Sequence, residues 1–253
     1  MNGGAVRQPA SGLRRPTTVL LLGWVLLAAS ASSTLSCAED AAADKARAGE
    51  PSASVCPEQA AGSSAPFADC VVHFTPGPQA SFGHDQLPGV VLGPPKGGGE
   101  QQGSTDVASL GCGGEIVLAF DGPGIADGPG ADLLIFENAF RYGGSGAEAA
   151  FFAEPAEVAV SGDGLSYRTF PCTIAPGSFP VGCAGLRPVL SSPENGVAPT
   201  DAHAAGGDAF DLAELGLASA RYVRLSDRTA ELYGAASIYC QGASGGFDLD
   251  AMV

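Results

Sequence analysis

The chain has 253 residues, with 27 Asp and Glu against 12 Lys and Arg, and a formal net charge of −15. Three of the bases and none of the acids precede residue 37, so the remainder carries nine bases against 27 acids, a net −18. Such a surface repels phosphate backbones, which excludes nucleic acid as a partner, and it favours cations.

The first segment holds Arg7, Arg14 and Arg15, then an apolar run from Val19 to Ala29, then small residues from Ser30 to Ser36. That is the layout of a secretory signal over residues 1–36. The run has eleven residues, and a membrane-spanning helix needs about 20. Thr34-Leu35-Ser36-Cys37 resembles a lipobox, which implies cleavage before Cys37, a lipid on that residue and attachment to the membrane. A competing cut after Ala31 would release a secreted protein. Seven cysteines are present. If Cys37 is acylated, Cys56, Cys70, Cys112, Cys172, Cys183 and Cys240 remain and can pair fully in an oxidising compartment. Six cysteines allow 15 connectivities; Cys56 with Cys70, Cys112 with Cys240 and Cys172 with Cys183 is one.

Residues 37–55 are mostly Ala, Glu, Asp, Lys and Ser without apolar period, the composition of a flexible linker. Residues 56–253 are enough for one domain with a real core. Here β-type runs alternate with turn clusters. The expected strands are Val71–Phe74, Gly89–Leu92, Glu115–Phe120, Asp132–Glu137, Glu157–Ser161, Ser166–Pro171, Ala220–Ser226, Ser237–Cys240 and Phe247–Met252. One short helix is expected at Leu212–Leu217, with Asp211 as its cap.

The faces of these strands can be assigned. Val158 and Val160 share one side, and Val223 and Leu225 oppose Tyr222 and Arg224. Leu133-Leu134-Ile135-Phe136 is apolar throughout, as a central strand covered on both faces would be. With helices nearly missing, the expected fold class is all-β, an antiparallel two-sheet β-sandwich with long loops.

Two stretches carry a family resemblance. Val158-Ala-Val-Ser-Gly-Asp-Gly-Leu-Ser-Tyr167 and Ala220-Arg-Tyr-Val-Arg-Leu225 resemble strands of discoidin (coagulation-factor C-type) domains, which implies a galactose-binding-like jelly roll. Four more motifs look like those of bacterial cell-surface and lipoprotein domains related to that fold. They are Val91-Leu-Gly-Pro-Pro-Lys96, Ser109-Leu-Gly-Cys-Gly-Gly114, Asp127-Gly-Pro-Gly-Ala-Asp-Leu-Leu-Ile-Phe-Glu-Asn138 and Gly245-Gly-Phe-Asp-Leu-Asp-Ala251. Pro171–Ser219 is a long insertion relative to a compact discoidin domain.

The densest acidic constellation is Asp121, Asp127, Asp132, Glu137 and Asn138, joined by Asp248 and Asp250 from the chain end. The last two fall on one strand face, with Phe247 and Leu249 on the other. Hard oxygen donors on irregular loops suit Ca²⁺, which takes 6–8 oxygens. The resemblance implies a structural calcium on Glu137 and Asp250 first, then Asp127, Asp132 and Asp121. Asp before Gly-Pro-Gly is also ordinary turn chemistry, because its carboxylate accepts from backbone N–H groups two residues on.

Other chemistries have less footing. His73, His84 and His203 are scattered, and Asp201, His203 and Asp208 lie in a Gly/Ala-rich stretch that reads as a solvated loop. Gly143-Gly-Ser-Gly-Ala147 lacks the last glycine of a nucleophile elbow. The only Trp, Trp24, lies in the signal, so a sugar platform would have to use Phe140, Tyr142, Tyr167 or Tyr233. The sequence therefore leads to an exported, non-catalytic binding or adhesion module of the cell surface, with a glycan or surface polymer as partner. Two other readings stay open: a secreted hydrolase of polysaccharide or ester using paired carboxylates, and a purely structural envelope protein.

Overall fold

The computed structural model describes Cys56, residues 66–143 and residues 150–253. The expected signal, the lipid site at Cys37 and the linker to residue 55 lie outside the described residues, as do residues 144–147 of the glycine-rich loop.

The described chain is mostly strand. In order these are β1 (Cys70–Thr75), β2 (Ala108–Ser109), β3 (Glu115–Ala119), β4 (Ile125–Ala126), β5 (Leu133–Phe136), β6 (Phe140–Tyr142) and β7 (Ala150–Phe152). They are followed by β8 (Ala156–Ser161), β9 (Arg168–Thr169), β10 (Asp208–Phe210), β11 (Ser219–Ala220), β12 (Tyr222–Asp227), β13 (Asp248–Leu249) and β14 (Ala251–Met252). The one described α-helix, α1, covers Thr229–Tyr233. Every pairing is antiparallel: a five-stranded sheet β1-β3-β12-β8-β9, a three-stranded sheet β10-β5-β14, and three two-stranded ladders.

Alternation dictates which side of the large sheet is dry. Val158 and Val160 on β8 stand opposite Leu225 and Val223 on β12, which in turn face Ile116 and Leu118 on β3. All six are completely buried in one apolar cluster. Leu133, Ile135, Phe210 and Met252 of the three-stranded sheet join the same cluster, so the two sheets share a core. On its other face β5 turns Leu134 and Phe136 into a second cluster with Val189, Ala205, Ala251 and Val253. A strand buried on both faces can be apolar at every position, as Leu133–Phe136 is.

Two expected strands are short 3₁₀ turns. Gly89–Val91 follows Pro88, and the Val91 amide bonds back to the Pro88 carbonyl at 3.2 Å. Val90 and Val91 are still buried, so their hydrophobicity reported core and not conformation. Ile238–Cys240 is closed by a Cys240 N–H bond to the Ser237 carbonyl at 3.1 Å. The helix expected after Asp211 is a 3₁₀ segment, Leu212–Leu215, whose Ala213 amide donates to the Asp211 carboxylate at 2.8 Å.

Three disulfides link Cys56 to Cys70, Cys112 to Cys240 and Cys172 to Cys183, with sequence separations of 14, 128 and 11. Loop-closure entropy grows with the logarithm of loop length, giving about 5 kcal/mol for the longest and about 3 for each of the others. Replacing Cys112 and Cys240 together by Ser should therefore lower the urea midpoint more than replacing Cys172 and Cys183. Equal midpoints for the two double variants would show that closure entropy does not set their contribution.

Candidate functional site

Three carboxylates that are far apart in sequence meet in the interior. Glu137 lies one residue beyond β5, Asp248 opens β13, and Glu154 lies two residues before β8. One carboxylate oxygen from each lies within 4.8 Å of the other two, and all three residues are at least 96% buried. Each sits where a strand begins or ends. The strand interior supplies the apolar side chains that fix its position, and the terminus supplies a polar one directed off the ladder.

Their hydrogen bonding is incomplete. Glu137 Oε1 accepts the Asp248 amide at a long 3.4 Å, and Oε2 accepts nothing. Glu154 Oε1 accepts the Gly246 amide at 3.1 Å, an N–H already shared with the Tyr239 carbonyl, and its Oε2 also accepts nothing. Asp248 fares better, taking the Ser109 hydroxyl on Oδ1 and Asn138 Nδ2 on Oδ2 at 3.3 Å. That bond leaves Asn138 Oδ1 buried without a donor. Gly103 is what lets its loop pack here, since a Cβ at that position would fall 2.2 Å from Asn138 Oδ1.

Among the described residues no Lys or Arg forms an ion pair with this nest. The five ion pairs among the described residues join Lys96 to Asp106, Arg221 to Asp121, Arg224 to Glu115, and Arg228 to Glu157 and Glu231. Two charges at this spacing repel by about 3–4 kcal/mol even with partial screening. Burial, then the neighbouring acids, pushes the Glu154 carboxyl up to about 11 and raises Glu137 well above the ordinary range. Burial also lifts Asp248 to about 6, against the lowering bonds from Ser109 and Asn138.

Among the described residues, no other buried acid leaves a buried carboxylate oxygen without a partner. Asp227 accepts four bonds, from the amides of Gly113, Thr229 and Phe247 and the Thr229 hydroxyl. Asp250 accepts the Lys96 amide on both oxygens, at 3.1 and 3.0 Å. Donors are thus built in where a carboxylate only holds loops together. At Glu137 and Glu154 one oxygen each is left without a donor, and oxygens of Glu137, Glu154 and Asp248 lie within 4.8 Å of one another, a set that fits a hard cation.

Of the residues expected to hold calcium, Glu137 alone lies in this nest. Asp127 and Asp132 gather with Asp211 in a second, more exposed group. There Asp132 accepts the Gly128 and Leu212 amides and Asp211 caps its 3₁₀ turn, so turn chemistry accounts for those oxygens. Asp121 pairs with Arg221 at 3.3 Å. Asp248, part of the acidic constellation in sequence, is a member of the nest. Glu154 was missed; the signal that could have found it is a lone acid inside Phe151-Phe-Ala-Glu-Pro-Ala156, an otherwise apolar run. Asp201 accepts the His203 amide at 3.0 Å within its own turn.

Beside the nest lies a row of rings. Phe140 pairs across the β6–β7 ladder with Phe152, stacked at 5.1 Å. Tyr142 packs on Phe140 and Tyr239 on Phe152, the Tyr142 and Tyr239 side chains are hydrogen-bonded, and Tyr233 stacks beyond Tyr239 with the two phenol rings 4.1 Å apart. Tyr142 is 46% exposed. A separate cavity of about 430 Å³ is lined by Phe67, Phe120, Ile125 and Leu134 with Asp69 and Asp121 among its polar residues; no nest residue borders it. No protein-family model, curated protein or solved structure matches the chain.

Asp208 shows what burial costs an acid even with donors at hand. Burial lifts it to about 7, against lowering bonds from the Leu186, Gly185 and Arg187 amides and the Arg187 charge. Its folded value lies above its ordinary 3.8, so the folded state binds the extra proton between those pH values. The associated stability is complete below about 4 and is lost as pH rises through 7. In chelator, Asp208→Asn should gain on the parent by up to about 4 kcal/mol between pH 4 and pH 8 in urea denaturation. A pH-independent difference would contradict that assignment.

Proposed function

We propose that the chain is an exported binding module of the cell envelope, anchored by lipid on Cys37 and stabilised by one calcium ion. Its two larger sheets with a common core are compatible with the galactose-binding-like jelly roll that the sequence motifs imply. The observation that carries the reading is the pair of buried carboxylate oxygens, Glu137 Oε2 and Glu154 Oε2, that accept no hydrogen bond. Glu137, Glu154 and Asp248 would hold the ion. Carboxylate oxygens with no nitrogen or sulfur fit Ca²⁺ better than zinc, with water or second carboxylate oxygens completing the 6–8 that calcium takes.

Calcium here cross-links the end of β5, the start of β13 and the entry to β8, replacing repulsion by attraction. The ligand surface is the ring row next to the ion. Aromatic faces carrying the phenol groups of Tyr142, Tyr233 and Tyr239 suit the apolar and hydroxyl faces of a sugar ring. A glycan or surface polymer is accordingly the partner. A hydrolase would need its paired acids open to substrate, and the closed position of Glu137 and Glu154 argues against that.

Scanning calorimetry tests the ion. At a calcium concentration a hundredfold above Kd the gain is about 2.7 kcal/mol, or about 5–10 °C in Tm for a domain of this size. Glu154→Gln should abolish that gain while leaving the chelated protein about as stable as the parent, because the amide is neutral like the protonated acid that burial favours there. Identical melting of the parent in calcium and in chelator would end the reading.

A further inference from the structure

The three nest elements enclose a second feature. The chain leaves the nest at Asn138, passes through Ala139 into β6, returns along β7, and re-enters through Ala153 at Glu154. Ala139 and Ala153 are buried, whereas Arg141, Tyr142 and Ala150 are exposed. The β6–β7 ladder is therefore rooted at two points, and each root lies within two residues of a nest carboxylate with an unbonded oxygen, Ala139 of Glu137 and Ala153 of Glu154. We infer that cation binding in the nest is a clamp on this ladder: occupancy holds the roots together and fixes the ring row, and loss of the ion releases it. This rests on the nest being a cation site, as proposed above.

The ladder's other ties are single hydrogen bonds and ring contacts, the Tyr142–Tyr239 side-chain bond among them. The Arg141 amide donates to the Glu100 carbonyl at 2.7 Å, and the Tyr233 hydroxyl donates to the Ala153 carbonyl at 2.9 Å. Phe152 meets Tyr239 at 5.8 Å, and on the opposite face Phe151 meets Phe179 at 5.4 Å. By contrast β8 is hydrogen-bonded on both edges, to β12 and β9. A two-stranded ribbon is at best marginal by itself, so its population depends on what happens at its roots. Without an ion, Glu137 and Glu154 set two acids with unbonded oxygens at the base of the ribbon; with a divalent ion the same groups pull the base closed.

Linkage makes the effect reciprocal. Whatever firms the ladder tightens the ion, and whatever loosens it weakens the ion, even at a residue that touches no ligand. Tyr233 is such a residue, because its hydroxyl bonds the β7 root and not the nest.

Hydrogen exchange on the full exported chain, in calcium and in chelator, tests the clamp. Calcium should slow the amides of Phe140–Tyr142 and Ala150–Ala153 at least tenfold while β8 and β12 change less than twofold. Tyr233→Phe should weaken calcium binding about three- to tenfold, the equivalent of one hydrogen bond. Calcium that raises Tm but protects every strand equally, with Tyr233→Phe binding as the parent does, overturns the clamp and keeps the ion. Calcium that changes neither Tm nor exchange overturns both.

Discussion

A carboxylate withdrawn from water must find donors or a cation, and that requirement organises the interior of this protein. The chain meets it by hydrogen bonds at Asp227, where four donors converge, and at Asp250, which holds the Lys96 loop by both oxygens. At Glu137 and Glu154 it supplies one weak donor each and leaves an oxygen bare. Unpaired buried charge costs several kcal/mol per ion in a real interior. Among the described residues only Glu137 and Glu154 leave a buried carboxylate oxygen without a partner, and the proposed cation would complete them.

The position of the nest follows from the sheets. β5 is buried on both faces, so its backbone is held by two apolar clusters, and the residue after it cannot move freely. Glu137 and Asn138 inherit that rigidity. The Asp250 amide returns to the Phe136 carbonyl at 3.0 Å, locking β13 and β14 against the same strand end. Asp248 is thereby fixed opposite Glu137. Glu154 arrives from the third direction, at the start of a strand whose Val158 and Val160 are completely buried. Ligands carried on the ends of well-packed strands hold their geometry better than ligands on loops.

Much of this was legible in the sequence wherever β-type residues ran for five or more positions. β3, β8 and β12 match their expected spans within a residue or two because each is a run of five or six β-type residues, alternating in β12 and continuous in β3, where Val117 and Ala119 enter a separate buried cluster. Gly89–Leu92 and Ser237–Cys240 were misread because four residues with β-type side chains carry no usable period; both are local turns with buried members. Of the two- and three-residue strands, β9, β13 and β14 fall inside expected spans, whereas β2, β4, β6, β7 and β10 carry no local signal. β10, inside the long insertion, exists because it lies beside β5, with Asp208 opposite Ile135. The nest was half legible. Glu137 and Asp248 stand in acidic motifs, but Glu154 lies 17 positions from Glu137, and only topology makes them neighbours.

The composition explains why such a chain leans on cross-links. With 37 glycines, 19 prolines and strands mostly of two to four residues, much of the backbone is irregular and loses more entropy on folding than its sheets recover by pairing. Three disulfides reduce the freedom of the unfolded chain, and the longest ties the turn at Cys112 to the segment just before β13. A cation in the nest would act from the folded side, joining three strand ends that no disulfide reaches. Both devices would suit the proposed export: disulfides persist in an oxidising compartment, and extracellular calcium modules work at Kd values of about 10⁻⁴–10⁻³ M. In the proposed reading, the paired cysteines and a cation at the donor-poor acids would answer one problem, that of keeping a glycine-rich chain folded.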